Sequence, residues 1–212
     1  MTKTLIHPTY FPSLAHFTAL VNYDVIFEVE DNYQKQTYRN RAYVYSPNGK
    51  QLLSVPVKHT KKDGHQKYKD VKIEYAFNWQ KQHWKTLETV YRSSPFFEFY
   101  EDEIRPVFQK THTYLIDLNF DTIQLICDCL QIDLSIEKTS KYHRVIPDML
   151  DLRSLTDAKK ETIFRFETYL QVFSEKHGFI PNLSILDLLF NKGPEAVSCL
   201  ARQNLSSAIT GK

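Results

Sequence analysis

The chain is poor in glycine and cysteine. Its five glycines, Gly49, Gly64, Gly178, Gly193 and Gly211, stand far apart. That spacing excludes both the GxGxxG dinucleotide fingerprint and the Walker A loop, which need clustered glycines for close backbone approach to phosphate. The three cysteines, Cys127, Cys129 and Cys199, are too few and odd in number for a disulfide framework, which points to a reducing compartment. No apolar run reaches the ~18 residues that a membrane span needs. The opening Met1-Thr2-Lys3-Thr4-Leu5-Ile6 lacks the apolar stretch of a secretion signal, so the expected location is cytoplasmic. HExxH and GxSxG are both missing. Cys127 and Cys129 are two apart on an expected helix and face different ways, so no metal site is expected.

Charge of one sign is also lacking. Lys and Arg total 27 against 25 Asp and Glu, a net charge of +2. A dedicated nucleic-acid binder carries a stronger or more clustered excess, so no nucleic-acid partner is expected. No motif names a cofactor or fixes an oligomeric state.

What remains is a chain of 212 residues, 42% hydrophobic, with a mean hydropathy of −0.43. Folding a chain of this mass buries roughly 70% of its surface, enough for a full core. Aromatic residues make 14% of it, with 14 Phe, 13 Tyr and 2 Trp. Rings fill cores first, but tyrosine also offers pockets a flat face and a hydroxyl.

Leu5-Ile6 opens a strand that Pro8 ends. Ser13 stands where a helix N-cap would, and Leu14, Phe17, Leu20 and Val21 follow at helical spacing. Val25 to Val29 is a second, β-branched strand. Strand, helix, strand is a βαβ unit in a parallel sheet. Ala42 to Tyr45 and Leu52 to Val57 make a hairpin about Ser46-Pro47-Asn48-Gly49. Residues 58 to 69 form a loop with five lysines, and Val71 to Tyr75 alternates as another strand. Helices are expected from Trp79 through Val90-Tyr91, over Phe96 to Lys110 with a kink at Pro106, and over Leu118 to Leu130. A late strand is expected at Ile132 to Ile136. Two more helices are expected over 157–176 and 183–189, with Gly178 as a C-cap glycine. The expected fold is α/β. It has a Rossmann-like, mainly parallel sheet, an antiparallel hairpin excursion and a helical C-terminal part. The division expected is a core of 1–140, a helical extension of 141–205 and a frayed tail of 206–212.

The polar residues concentrate in the first half. His7 ends the first strand, and in open α/β sheets ligands bind beyond the carboxyl ends of strands. The helix start at Ser13 offers N–H groups to an anion. Asp31 ends the second strand at the same edge. Gln34, Lys35, Tyr38, Arg39, Asn40 and Arg41 then crowd together. Arginine forks match phosphate or carboxylate. His83 shares a helical face with Trp79 and Leu87, beside Trp84.

Several of these runs carry a resemblance. Ile6-His7-Pro8-Thr9-Tyr10-Phe11-Pro12, the run from Tyr33 to Arg41 (YQKQTYRNR), Leu53-Ser54-Val55-Pro56-Val57, Asn78 to Lys85 (NWQKQHWK) and Ser93-Ser94-Pro95-Phe96-Phe97 occur in order. The chain resembles the WbqC-like protein family, named for a protein of bacterial O-antigen gene clusters. The resemblance implies a role in surface-glycan assembly, as a transferase moving a glycyl or other small acyl group to an amino sugar. Many members carry Gln where this chain has His7, which favours binding over catalysis at His7. The run Phe11-Pro12-x-x-x-His16 is also similar to the opening of the HxGH nucleotidyltransferases. Ala15 replaces that motif's glycine and Leu14 lies nearest its first histidine, so adenylyl transfer does not carry over.

The expected catalytic residues are Asp31 and His83, one of them the base that frees an amine. The expected ligand-binding residues are His7, Tyr10, Gln34, Lys35, Arg39, Asn40, Arg41 and Trp84. The expected partner is an anionic small molecule or a nucleotide-sugar. Alanine at Arg39 or Arg41 should weaken binding before it harms folding. Two other readings differ in kind: a non-catalytic binding module for an anionic molecule or partner protein, and a scaffold with an Arg39–Asp31 pair buried without a cleft.

Overall fold

A computed structural model describes residues 3–58, 66–159 and 164–206. Strand β1 (Lys3–Ile6) lies parallel to β2 (Asp24–Phe27), in register from Lys3 opposite Asp24 to Ile6 opposite Phe27. Helix α1 (Leu14–Asn22) makes the crossover, and every residue from Leu14 to Leu20 is buried. A helix buried on all sides needs apolar or bonded groups all round. Thr18 meets this by donating its hydroxyl to the Leu14 carbonyl at 2.8 Å.

The hairpin joins β3 (Arg41–Ser46) to β4 (Gly49–Ser54), paired antiparallel from Arg41 opposite Ser54 to Ser46 opposite Gly49. Gly49 sits at φ +91°, a conformation that residues with a Cβ rarely adopt. Helix α2 (Trp79–Tyr91) starts at Asn78, whose side chain accepts the Lys81 N–H. Its buried face is Trp79, His83, Leu87, Val90 and Tyr91, the expected stripe, with Trp84 buried beside it. Helix α3 (Phe97–Ile104) tightens into a 3₁₀ turn over Arg105–Phe108, where Pro106 lacks the N–H that an α-helix would use. Helix α4 spans Leu115–Cys129.

Two short strands complete the sheet. β5 (Glu137–Lys138) pairs with the outer side of β2, and β6 (Leu150–Asp151) with the outer side of β1. The order β5-β2-β1-β6 is parallel throughout. Helices α5 (Ser174–His177), α6 (Ile185–Lys192) and α7 (Ala196–Arg202) follow. The Asn22 side-chain amide donates to the Leu200 carbonyl at 3.1 Å, fastening α1 to α7. One apolar cluster runs from Ile6 to Leu205. The fold is therefore α/β, with a parallel sheet, a separate hairpin and C-terminal helices.

Several elements depart from the sequence reading. No helix covers 164–173; Phe164 and Phe166 are buried, Arg165 and Glu167 exposed, and the two rings stack at 4.9 Å. That alternation is a period of two, so the helical reading mistook the period. Val71 to Tyr75 alternates as expected but makes single bridges, Ile73 to Val57 and Lys72 to Tyr114, instead of a ladder. The late strand lies at Glu137–Lys138, past Ile132 to Ile136. Helix α7 was not anticipated. Most of the lysine loop, 59–65, and the tail from 207 lie outside the described residues.

A buried amide locks the segment that carries the polar cluster. Asn119 of α4 donates to the Arg39 carbonyl at 2.7 Å and to the Tyr68 hydroxyl at 2.5 Å. The Tyr68 hydroxyl donates in turn to the Pro8 carbonyl at 2.7 Å. Asn119→Ala strands the buried Arg39 carbonyl, which costs about 2 kcal/mol. In a chain of this size the melting temperature should fall by about 4–8 °C. Thermal unfolding of the variant checks this, and an unchanged melt would contradict the lock.

Candidate functional site

β1, β2 and β6 all end at the same edge of the sheet, because they are parallel. The chain leaving them supplies His7, the stretch from Glu28 to Asp31, and Arg153. The segment 31–41 then folds back and brings Arg39 to His7 and Asp31. The Tyr10 N–H donates to the Tyr38 carbonyl at 3.1 Å, and the Tyr38 N–H to the Thr156 carbonyl at 2.9 Å. These bonds tie the segment both to the exit of β1 and to the turn after β6.

The centre is a triangle. Arg39 Nη2 lies 2.7 Å from His7 Nε2 and 3.1 Å from Asp31 Oδ2, and His7 Nε2 lies 3.0 Å from the same oxygen. Asp31 Oδ1 accepts the Asn32 N–H at 2.6 Å. Arg39 is 1% exposed and His7 3%. The guanidinium lies 5.3 Å from the centre of the Tyr68 ring. Arg39 Nε, Arg39 Nη1 and His7 Nδ1 are buried and have no hydrogen-bond partner among the described residues.

These three groups face a cleft of about 290 Å³, lined also by Gln34, Tyr142, Arg153, Ser154, Thr156 and Asp157. Arg153 is held rigidly. It bonds Asp151 at 2.8 Å and donates to the carbonyls of His143 and Arg144 at 2.8 and 3.0 Å. The buried Glu28 carboxylate stands 3.9 Å from it. Two carboxylates, Asp31 and Asp157, thus meet two guanidiniums, Arg39 and Arg153, around one opening.

Burial first, and then the Arg39 cation, push the His7 imidazole down to about 4 against the opposing pull of Asp31. Burial alone would raise the Asp31 carboxyl. The His7 contact, the Asn32 N–H and Arg39 outweigh it and hold the carboxyl below its usual range. At neutral pH the centre is therefore an ionised Asp31, a neutral His7 and a cationic Arg39.

The expected site residues divide into four groups. His7, Asp31, Gln34 and Arg39 line this cleft. Lys35, Asn40 and Arg41 line a separate cavity of about 380 Å³. Tyr10 and His83 meet each other, hydroxyl to Nδ1 at 3.0 Å, in an aromatic cluster with Trp79, and line neither space. Burial lowers His83 to about 4. Trp84 stacks on Phe97 and borders a third cavity of about 410 Å³ with Arg105 and Phe108.

The start of α1 does not offer free N–H groups. Leu14 donates to the Leu183 carbonyl and Ala15 to the Asn182 side chain, both at 2.9 Å. Ser13 holds the cap position without a side-chain cap; its hydroxyl pairs with His16 Nδ1 at 3.0 Å. Arg39 is also more deeply buried than a surface anion-binding residue would be, so alanine there should harm folding. The Arg39–Asp31 pair adjoins a cleft, which removes the observation on which the scaffold reading depended.

Arg153, Tyr142 and Asp157 were not anticipated. The signal for them was the alternation Leu150-Asp151-Leu152, a strand end too short to stand out.

Acid should destabilise the protein through His7. Its folded value lies below 6.5, so the unfolded chain takes a proton first as pH falls, and stability drops from about pH 6.5 towards 4. Asp31 stays ionised through most of this window. His7→Gln should remove about 2 kcal/mol of the loss between pH 7 and 4.5. Urea unfolding at both pH values measures it. An equal loss in the variant would show that His7 is not buried neutral.

A sequence model of the WbqC-like protein family matches residues 7–161 and 159–199. The uncharacterized protein Rv1507c of Mycobacterium tuberculosis is 28% identical over 219 residues, covering 91% of this chain and 94% of that protein. No solved structure matches. The family match runs from His7 just past β1, through the Asp31–Arg39 segment and Arg153, into α7, so it contains every residue that lines the cleft; the chain belongs to the WbqC-like protein family.

Proposed function

We propose that the protein is a transferase of bacterial surface-glycan assembly, working in the His7–Asp31–Arg39 cleft. The observation that carries this reading is the pairing of both charge signs in one opening at the carboxyl edge of a parallel sheet. Joining an amine to an acyl group needs both signs. The amine arrives as an ammonium and is drawn to a carboxylate. The acyl donor, or the oxyanion formed during attack, is drawn to the positive charge of Arg39 and Arg153.

Asp31 takes the proton from the attacking amine as its nitrogen bonds the acyl carbon; the carbon's bond to the donor's thiol sulfur or hydroxyl oxygen breaks, and that leaving group departs with the proton. Asp31 is ionised throughout the neutral range and borders the opening. Arg39 holds it in place, and His7 holds Arg39 through the ring nitrogen that accepts from its Nη2. Gln in many family members at the position of His7 suits that role, since an amide oxygen can also accept from Arg39. His83 has no part in this chemistry, because it lies in the aromatic cluster. Transfer of a glycyl or other small acyl group to the amine of a nucleotide-linked amino sugar is the form of the reaction that the family's O-antigen origin supports.

A general base contributes about 10²–10⁴-fold in rate. Asp31→Asn also leaves Arg39 charged and buried, so it should lower the melting temperature; assayed below that temperature, where the variant is folded, product formation should fall by about that factor. His7→Gln should lose less than about tenfold, because an acceptor for Arg39 remains. Mass spectrometry of mixtures of UDP-amino sugars with aminoacyl and acyl-CoA donors measures both. Saturable binding with no product from any pair would replace transfer by a binding module.

A further inference from the structure

Arg153 does more than add charge to the cleft. β5 lies outside β2 and β6 outside β1, so the chain joining them, residues 139–149, crosses from one side of the sheet to the other. It crosses at the carboxyl edge. At one end the Thr139 N–H donates to the Phe27 carbonyl, where β2 ends, and its hydroxyl donates to Glu28, at 2.9 and 3.0 Å. Farther along, Arg153 takes the carbonyls of His143 and Arg144. Its Nε and Nη2 also donate to Asp151, the last residue of β6, at 2.9 and 2.8 Å. One guanidinium thus fastens this strap to the end of β6. Every residue from Ser140 to Val145 is exposed, so packing does little to hold the stretch and these bonds must do it.

Between the two attachments stands Tyr142. Its ring centre lies 5.3 Å from the Arg153 guanidinium carbon, and the residue lines the cleft while remaining 43% exposed. Among the described residues it is the only phenyl-type ring in a lining otherwise charged or polar. Asp31 offers acceptor oxygens there, and the exposed Gln34 and Ser154 can both donate and accept. A ligand that uses this whole lining needs an apolar face for the ring and polar groups around its rim. A pyranose has both. Its axial C–H bonds make one face apolar and weakly positive, which suits the negative face of an aromatic ring, and its hydroxyls surround that face. The volume sets how much of an acceptor enters. About 290 Å³ stands at the lower limit of the roughly 300–1,000 Å³ of small-molecule sites. That is room for one sugar ring with its amine, and too little for a whole nucleotide-sugar.

We propose that Tyr142 is the specificity-determining residue for the acceptor: the sugar ring packs on it while the sugar's amine faces Asp31, and Arg153 is the positioning residue that fastens the strap carrying it. The inference rests on the transfer reading for the amine, and adds which part of the acceptor the cleft recognises. The fastening of the strap stands by itself.

Equilibrium titration of the full chain with D-glucosamine and 2-aminoethanol tests the ring. Both carry an ammonium, and only the first has a pyranose. Glucosamine should bind about three- to tenfold more tightly, the scale of one aromatic packing contact. Tyr142→Ala should remove that preference with an unchanged melt, because the side chain is exposed, and Tyr142→Phe should keep it. Limited trypsin digestion tests the strap without any ligand, since Lys141 and Arg144 flank Tyr142 there. Arg153→Lys keeps the cation but not the fork that spans two carbonyls and a carboxylate. It should speed cleavage after Lys141 and Arg144 by at least about tenfold, with other sites unchanged, and shrink the glucosamine preference. Absence of glucosamine binding at millimolar concentration, equal affinity for the two amines, or a preference that survives Tyr142→Ala overturns the role of Tyr142. Unchanged cleavage in Arg153→Lys, or a rise shared by every site, overturns the role of Arg153. Tyr142-dependent glucosamine binding with no transfer product from any donor removes the transfer reading alone. Transfer that proceeds equally to amines with and without a ring removes this inference alone.

Discussion

A single buried guanidinium organises this protein. Arg39 is among its largest fully buried side chains, and an arginine cannot shed its charge to suit an apolar setting. The charge must be met by geometry. Asp31 meets it from the end of β2 and His7 from the end of β1, while the Tyr68 ring lies against the guanidinium. The backbone carbonyl of Arg39 is held separately by Asn119 of α4. Strand ends, a folded-back loop and a helix are thereby committed to one position. A buried ion pair of this kind adds little net stability, since desolvation offsets attraction. Removing either partner is another matter, because the other is left charged and buried. The arrangement is better explained by what it places at the sheet edge than by what it adds to the fold.

The same constraint sets the protonation states. Left to Asp31 alone, His7 would gain a proton readily. Burial and Arg39 outweigh the carboxylate, and the ring stays neutral. A neutral ring adds no charge to a cleft where two arginines and two aspartates already balance. Across the 31–41 segment the balance changes. Lys35, Arg41 and Lys58 face one carboxylate, so the two spaces suit ligands of different charge. One stretch of eleven residues, 31–41, thus contributes to two chemically distinct surfaces.

Much of this could be read in the sequence, and the failures have physical causes. The β1–α1–β2 unit was legible because its apolar runs are short, clean and bounded by Pro8 and Tyr23-Asp24. The α2 face was legible because Trp79, His83 and Leu87 recur at helical spacing. Arg39 and Asp31 stood out as charges gathered at strand ends. Their joint burial with His7 did not, because no local pattern reports a contact across 24 or 32 residues. Asn40 and Arg41 follow Arg39 directly, yet line a different space. The chain turns there, the Asn40 N–H donating to the Thr37 carbonyl at 3.3 Å, and that turn separates residues which look like one cluster. His83 was drawn into the site by its chemistry; its surroundings make it a core residue bonded to Tyr10. Leu150–Asp151 is a strand of two residues, below what any pattern can show, and with it went Arg153. Phe164 and Phe166 show the reverse error, where a ring-rich stretch was given the wrong period.

The central claim is that burial and Arg39 hold His7 neutral beside an ionised Asp31. NMR of the protein with ¹⁵N-labelled histidine reads that ring directly. The His7 imidazole should be neutral at pH 6 and titrate near 4. A His7 ring that titrates at or above 6.5, the value of a free histidine, would contradict it. Asp31 would then outweigh Arg39, and the cleft would carry an extra positive charge at neutral pH.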